Sequence, residues 1–218
     1  MDDKGRIIYQ TVYESPVGAL TLTASEDALT ALSFPQERYP EDVERLTKEC
    51  EVCIPAADKI PRILRETREW LDIYFSGKRP DFTPALAPEG SEFRKMVWEE
   101  LLKIPYGCII TYGQIAKQVA DRKGILRMSA QAVGGAVGHN PIGIIIPCHR
   151  VVGTGGNLTG FGGGIRTKEA LLKLEAWIWA GFIFRRREQH CKKEPETNEK
   201  KTGGSDEFQR DLRNRELL

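Results

Sequence analysis

The chain has 218 residues, 40% of them hydrophobic and 29% charged, with a formal net charge of +1. This apolar content is sufficient for a buried core and excludes a globally disordered chain. No apolar run approaches the ~20 residues needed to span a bilayer, and the N-terminus "MDDKGRIIYQ" lacks the apolar core of a signal peptide. We therefore expect a cytoplasmic protein, or a nuclear one in a eukaryote.

The small net charge conceals an uneven distribution along the chain. Residues 1–90 carry 11 basic and 17 acidic side chains, whereas residues 91–184 carry 11 basic and 6 acidic ones. The middle of the chain is therefore the part best suited to an anionic partner. The surplus is modest and does not by itself establish nucleic-acid binding.

The first ninety residues predict a small antiparallel sheet followed by a helix. "IIYQTVYES" and "ALTLTAS" alternate around the turn signal "SPVG", and "ALTALSF" is typical of a further strand. "PRILRETREWLDIYFSG" has apolar residues at helical spacing, which predicts an amphipathic helix ending at Gly77. The proline-rich segment 78–90 reads as a linker, and we place a domain boundary at residue 88.

The second domain, 89–184, begins with two helices whose starts are marked by capping residues. Ser91 precedes "EFRKMVWEELL", and Thr111 with Gln114 has the spacing of a capping box before "YGQIAKQVA". A third helix, at 130–138, follows the second after a tight, charged, glycine-containing turn. This outline fits a helix-turn-helix, and an ordinary helical hairpin is the alternative.

Glycine dominates two segments of this domain. The helix 130–138 contains Gly134 and Gly135, each costing about 1 kcal/mol of helix propensity, which close approach to another surface or tight core packing could offset. Residues 153–164 include seven glycines, so this loop could present backbone N–H groups to a ligand or could be a plain hairpin turn. "RTKEALLKLE" predicts a last helix, with Leu171, Leu172 and Leu174 facing inward. The mixed-charge tail 185–218 predicts disorder.

Cys148, in "IPCHRVV", is the strongest candidate for chemistry. A reactive cysteine needs a base or positive charge, partial access and a rigid support, and here His149 and Arg150 adjoin it while "GIII" predicts a buried strand before it. Since neighbours on a strand point to opposite faces, His149 would reach the thiol only across a turn or through water. The alternative is a core thiol.

The other cysteines carry weaker signals. The chain has five, an odd and scattered set that favours a reducing compartment and free thiols. Cys50 and Cys53 form a CxxC pair without further ligands nearby, so a structural zinc site is disfavoured. Cys108 fits the core, and Cys191 lies in the tail. We expect no metal and no other cofactor.

The motifs "FRKMVWEELLKIPYG", "TYGQIA", "AVGGAVGHNP", "IIIPCHRVVG", "LTGFGGG" and "KEALLKLE" occur in this order. Together they resemble the methylated-DNA–protein-cysteine methyltransferases, also called 6-O-alkylguanine-DNA alkyltransferases, over residues 91–175. Residues 6–90 resemble the family's N-terminal domain more loosely. The resemblance implies an α+β or α/β fold, with a ribonuclease-H-like sheet domain at 1–88. A mostly helical domain with a winged-helix-like helix-turn-helix would follow at 89–184.

The resemblance also implies roles for individual residues. Cys148 matches the alkyl acceptor, His149 the histidine that takes its proton through a water, and Glu175 the acid that orients this histidine. Asn140 matches the residue that holds the site together, and Tyr112 the tyrosine that helps to turn out the target nucleotide. The remaining matches are the DNA-binding positions Gln131, Ala132, Gly134, Gly135 and Gly138 and the base-pocket positions Phe161, Gly162 and Gly163.

The resemblance therefore implies a monomeric DNA repair protein that acts once. It would transfer the alkyl group of 6-O-methylguanine, and less well that of 4-O-methylthymine, from double-stranded DNA to Cys148. Two positions depart from the family: Gln131 replaces an intercalating arginine, and Phe161 replaces a frequent tyrosine. The alternatives are a lesion-binding protein without activity and, less favoured, a thiol hydrolase that uses Cys148 and His149. The residues leave the role of Arg150 open between a salt bridge and a DNA phosphate contact.

Overall fold

A four-stranded sheet forms the N-terminal part of the computed structural model, which describes residues 7–36, 39, 41, 44, 47, 50–56 and 59–176. Strands β1 (Ile7–Ser15), β2 (Gly18–Ala24) and β3 (Leu29–Ser33) form the predicted antiparallel meander. A further strand, β4 (Glu51–Cys53), pairs in parallel with β1, so the sheet is mixed. Strand β4 has no recognisable sequence pattern because three residues are too few to show a period.

Helix α1 (Arg62–Phe75) packs on this sheet and confirms the predicted amphipathic helix. Its buried stripe recurs every three or four residues, as a helix lying on a sheet requires. The buried positions are Ile63, Leu64, Thr67, Trp70, Leu71 and Tyr74. Each large apolar side chain in the stripe contributes about 1.5–3 kcal/mol by leaving water. This packing fixes the last turn of α1, including Tyr74, deep in the protein.

The proline-rich segment 78–90 is attached to the sheet. Leu29 in β3 donates its backbone N–H to Ala85 O and accepts from Ala87 N, both at 2.8 Å. The segment therefore extends the edge of the sheet where the sequence predicted a linker. The domain boundary at residue 88 stays a prediction, and the predicted tail 185–218 lies outside the described residues.

Three helices follow, and the caps of the first two agree with the sequence prediction. In α2 (Glu92–Leu102) the Ser91 side chain accepts from Arg94 N, and α3 (Tyr112–Lys123) starts with both hydrogen bonds of the Thr111–Gln114 capping box. Helix α4 (Ala130–Gly138) follows after a turn over 124–129. The pair α3–α4 packs together and against α2, as a helix-turn-helix does. A sheet domain and a helical domain are thus both present, and the predicted fold class is confirmed.

The segment between α4 and the glycine-rich loop is irregular, and the predicted "GIII" strand is wrong. Ile142 makes an isolated parallel bridge to Leu32. Residues 143–145 then form turns in the core, with the buried Ile144 at φ 67°, a conformation that a β-branched residue rarely adopts. A single 3₁₀ turn, Cys148–Arg150, comes next, and the short strand β6 (Val151–Val152) then pairs in parallel with β5 (Ile110–Thr111). An apolar run bounded by glycine and proline fits a buried loop as well as a strand, and here the loop forms.

Helix α5 (Ile165–Ala176) closes the described part of the chain. Leu171 faces inward as predicted, but Leu172 and Leu174 are only half-buried. Two charged residues, Lys168 and Glu175, are fully buried on the same side of the helix as Leu171. Within the described residues, no helix is long and apolar enough to cross a membrane.

Candidate active site

The thiol of Cys148 lies at the first position of the 3₁₀ turn, with 6% of the residue exposed. It is not disulfide-bonded. The side-chain amide Nδ2 of Asn140 donates to its sulfur over 3.1 Å. A hydrogen bond to sulfur from a neutral donor favours the thiolate over the thiol, and the thiolate is the nucleophilic form of cysteine.

Asn140 also holds together the irregular segment that carries the thiol. Its Nδ2 donates to Ile146 O at 2.9 Å and to Ile142 O at 3.3 Å, while its Oδ1 accepts from Ile142 N at 3.1 Å. Ile142 O and Ile146 O also accept backbone bonds from Ile146 N and Cys148 N at 3.1 and 2.8 Å, so the amide adds a second donor to each carbonyl. Asn140 therefore ties together the turns that carry Cys148.

His149 is completely buried and lies against Glu175. Its Nε2 is 2.7 Å from Glu175 Oε1, and because a carboxylate only accepts, Nε2 carries the proton. The other ring nitrogen, Nδ1, is buried and makes no hydrogen bond within the described residues, which leaves its lone pair as a base. Burial lowers the pKa of His149, opposed by its hydrogen bond to Glu175 and the charge of that carboxylate, so the imidazole is neutral at neutral pH.

Glu175 accepts hydrogen bonds from three other groups. Tyr74 Oη donates to Oε1 at 2.9 Å, Gly107 N donates to Oε2 at 3.0 Å, and Arg150 donates through Nε and Nη2 at 2.9–3.2 Å. Burial raises the pKa of this carboxyl, but hydrogen bonds to His149 and Arg150 and their charges outweigh burial and lower the pKa to about 2. Glu175 is therefore a carboxylate under all physiological conditions.

This geometry resolves the two alternatives for Arg150. The side chain is buried, pairs with Glu175 and donates through Nη1 to Ile104 O at 2.6 Å. Its guanidinium also lies over the Tyr106 ring, 5.5 Å from the centroid. Arg150 thus forms a structural ion pair and does not face a surface where a DNA phosphate could bind.

Lys168 is a buried cation beside the thiol that the sequence analysis did not single out. Its Nζ donates to Val151 O at 2.5 Å and to Thr159 O at 3.1 Å. Burial lowers the pKa of Lys168 to about 8, although the charge of the nearby Cys148 raises it. The ammonium form therefore prevails at neutral pH, where it connects β6 to the glycine-rich loop and favours a thiolate at Cys148.

The predicted DNA-binding positions lie along one side of α4. Gln131, Ala132 and Gly135 are exposed, and Gly134 and Gly138 are half-buried. A Cβ added at Gly135 would meet nothing within 4 Å, and one at Gly134 would make only ordinary contact with the Tyr112 ring. Core packing therefore does not account for Gly135, which leaves approach to an external surface as the interpretation of this glycine.

The glycine-rich loop packs between Tyr112 and the N-terminal sheet. Tyr112 Oη donates to Thr159 O at 3.0 Å and to Gly160 O at 3.2 Å. Phe161 is buried, with its ring 5.3 Å from that of Phe34 and 6.5 Å from that of His149. Gly162 is half-buried beside it.

The buried Gly163 lies directly beneath the Phe34 ring, where an added Cβ would approach it to 2.6 Å. A side chain at this position would therefore displace either the ring or the loop. The close contact anchors the predicted base-pocket residues Phe161, Gly162 and Gly163 next to His149.

The expectation of free thiols holds for the CxxC pair and fails at one position. Cys50 and Cys53 are half-buried and not disulfide-bonded. Cys108 is half-buried and packs against the hydrophobic core as predicted, but it is disulfide-bonded and so is not the expected free thiol. Cys191 lies outside the described residues.

The sequence indicated Cys148, His149, Glu175 and Asn140, and the structure places these four residues close together. The sequence did not indicate Tyr74 or Lys168. For Lys168 a signal exists: it precedes Glu175 by seven residues, two helical turns, on a stripe with Leu171. Tyr74 carries no such local signal because its partner Glu175 is 101 residues away.

Comparison with known proteins agrees with this geometry. The family model described as the 6-O-methylguanine DNA methyltransferase DNA-binding domain matches residues 92–177, and the model of the ribonuclease-like domain of the same family matches residues 8–88. The chain belongs to this family.

A methylated-DNA–protein-cysteine methyltransferase of Methanosarcina acetivorans is 40% identical over 77% of the chain and 98% of its own length. One from Haemophilus influenzae is 38% identical over 77% of the chain and 86% of its own length. Among solved structures, Mycobacterium tuberculosis OGT in complex with DNA is 37% identical, with a TM-score of 0.63 over 78% of this chain and 92% of that one.

Proposed function

We propose that this protein repairs DNA by irreversibly transferring the alkyl group of 6-O-alkylguanine in double-stranded DNA to Cys148. The observation that carries the proposal is the arrangement of the thiol, which receives a hydrogen bond from Asn140 at 3.1 Å and adjoins a buried His149–Glu175 pair joined at 2.7 Å. The names of the relatives, and the existence of a similar structure in complex with DNA, support the same substrate. Such a protein works in the compartment that holds the DNA.

The chemistry follows from the charges of the site. The thiol proton of Cys148 passes through a water to Nδ1 of His149, and Glu175 stabilises the imidazolium that forms. The thiolate sulfur bonds to the alkyl carbon as the carbon–oxygen bond breaks, and the electron pair of that bond stays on guanine. Guanine takes up the proton, so the net products are a thioether and normal guanine. Because water does not cleave a thioether, each molecule acts once and requires no cofactor.

The DNA contacts are proposed for the outer side of α4. Its small residues allow the helix backbone to approach a groove closely, and Gln131 is exposed where it could occupy the space of a nucleotide turned out of the duplex. Tyr112 would help to turn out this nucleotide and would hydrogen-bond to the departing guanine. To hydrogen-bond to the guanine, the Tyr112 hydroxyl must give up its bonds to the loop carbonyls of Thr159 and Gly160.

The test is a single-turnover transfer assay. Duplex DNA with a labelled methyl group on 6-O-methylguanine is incubated with the wild-type protein and with Cys148→Ser, and protein-bound label is counted. We expect one label per wild-type molecule and none on the variant. The matched Cys-to-Ser control is Cys53→Ser, which should retain full labelling. Tight binding to the lesion without transferred label would refute the proposal and would indicate a lesion-binding protein.

A further inference from the structure

Tyr74 brings a hydroxyl group from the N-terminal part of the chain to the His149–Glu175 pair. It lies in the last turn of α1 and is fully buried. Its Oη donates to Glu175 Oε1 at 2.9 Å and lies 3.4 Å from His149 Nε2. The same carboxylate oxygen thus accepts from both Tyr74 and His149.

We propose that Tyr74 is a positioning residue for alkyl transfer, whose hydroxyl shares Glu175 Oε1 with His149 and limits how strongly Glu175 holds a proton on the imidazole. This inference rests on the proposed function. It assigns to the N-terminal domain a part in the chemistry of the C-terminal one.

Packing alone accounts for the ring of Tyr74 but not for its hydroxyl. The ring stacks on Trp70 at 5.3 Å and meets Phe75 and Tyr106 edge-to-face at 5.3 and 5.9 Å. A phenylalanine would make all these contacts. The hydroxyl, by contrast, must find a partner in this buried environment, and the partner that it finds is the carboxylate oxygen that orients His149.

The direction of the effect follows from competition for one acceptor. Each donor bound to Oε1 withdraws negative charge from it and weakens its attraction for the others. Without the Tyr74 hydroxyl, Oε1 would bind the imidazolium more strongly and the pKa of His149 would rise. A protonated His149 cannot accept the thiol proton, so the hydroxyl of Tyr74 keeps the base available at neutral pH.

The other charged groups around the His149–Glu175 pair shift the pKa of His149 in known directions. Arg150 and Lys168 carry positive charges that lower the pKa of His149. Glu175 itself raises it, and burial, the largest influence, lowers it. The remaining titratable neighbours are Tyr106, which faces Glu175 and Arg150, and Cys148, which faces Lys168. Tyr74→Phe leaves all of them in place, so a change in the pH profile reports the missing hydroxyl.

The experiment compares Tyr74→Phe with a matched control, Tyr13→Phe. Tyr13 is also buried, and its hydroxyl donates to a carboxylate on α1, that of Asp72, at 2.7 Å. Single-turnover transfer rates are measured from about pH 5 to about pH 9, a range that spans histidine titration. We expect the acid limb of the profile to move up by roughly one pH unit in Tyr74→Phe, the usual size for one hydrogen bond to a charged group. In Tyr13→Phe it should stay in place.

Two further measurements distinguish a positioning role of the Tyr74 hydroxyl from a contribution to stability alone. The ring NMR signals of His149 should titrate at a higher pH in Tyr74→Phe than in the wild type. A ring-fluorinated tyrosine at position 74 keeps the shape and makes the hydroxyl a stronger donor, so it should move the acid limb in the opposite direction, even if Tyr74→Phe fails to fold. A uniform loss of rate with unchanged profiles would overturn the inference. Absence of transfer by the wild type would instead refute the proposed function.

Discussion

Replacement of Arg150 by methionine tests the ion pair at the centre of the site. Arg150 is 7% exposed and makes three hydrogen bonds to Glu175 and one to Ile104 O. Removing one partner of a buried pair leaves the other charge uncompensated, which costs about 3–5 kcal/mol. For a domain of this size each kcal/mol lowers Tm by about 2–4 °C, so we expect Arg150→Met to melt roughly 6–20 °C below the wild type.

The assay is equilibrium unfolding in urea, supported by thermal melts. The matched control is Arg62→Met, which removes a guanidinium that is 82% exposed and pairs with Glu66 in the same helix. That exposed pair should contribute almost nothing. Because Arg150 does not face solvent, folded Arg150→Met should bind undamaged duplex as the wild type does. A destabilisation under about 1 kcal/mol, or a selective loss of DNA affinity, would refute the structural role of Arg150.

Three further predictions follow from the geometry. Gln131→Arg should raise lesion affinity or transfer rate several-fold, because an exposed cation on α4 is attracted to the negative potential of the DNA groove. Competition binding measures the affinity and single-turnover assays measure the rate. An unchanged affinity with an unchanged or slower rate would contradict this. Lys168→Met should slow transfer at least about tenfold, since the carbonyls of Val151 in β6 and Thr159 in the loop lose a buried donor, whereas Lys173→Met, an exposed change on the same helix, should not. Glu175 has a pKa of about 2 in the folded protein against an ordinary value of 4.5, so its stabilisation is present above 4.5 and is lost toward pH 2. The difference in unfolding free energy between wild type and Glu175→Gln should therefore shrink on acidification, and a constant difference would show that the carboxylate is not stabilised by the fold.

The sequence predicted the elements that depend on local chemistry. Ser91 and the pair Thr111–Gln114 identify helix starts because a cap is a contact between residues three apart. Cys148 was likewise recognisable, since a proline, a histidine and an arginine adjoin it in the chain. These signals suffice for the helical domain and for the location of the nucleophile.

The sequence could not predict features that arise from distant contacts. The "GIII" run was expected to be a strand, but it forms turns that the Asn140 side chain ties together, and an asparagine that bonds to the backbone in this way has no periodic signature. The hydroxyl of Tyr74 and the ion pair of Arg150 both depend on Glu175, which follows them by 101 and 25 residues. Local patterns hold no information about such pairings.

The assembly of the Glu175 carboxylate has a consequence for the newly made chain. Its partners come from positions 74, 107, 149 and 150, whereas Glu175 itself lies near the C-terminal end of α5. During synthesis, Cys148 leaves the ribosome before α5, the helix that carries Glu175 and so completes the His149–Glu175 pair. Contacts this distant in sequence form late in folding. Under the proposed function, the thiol would therefore gain its base only when folding is complete, so the unfinished chain would be protected from alkylation of a residue that can be used only once.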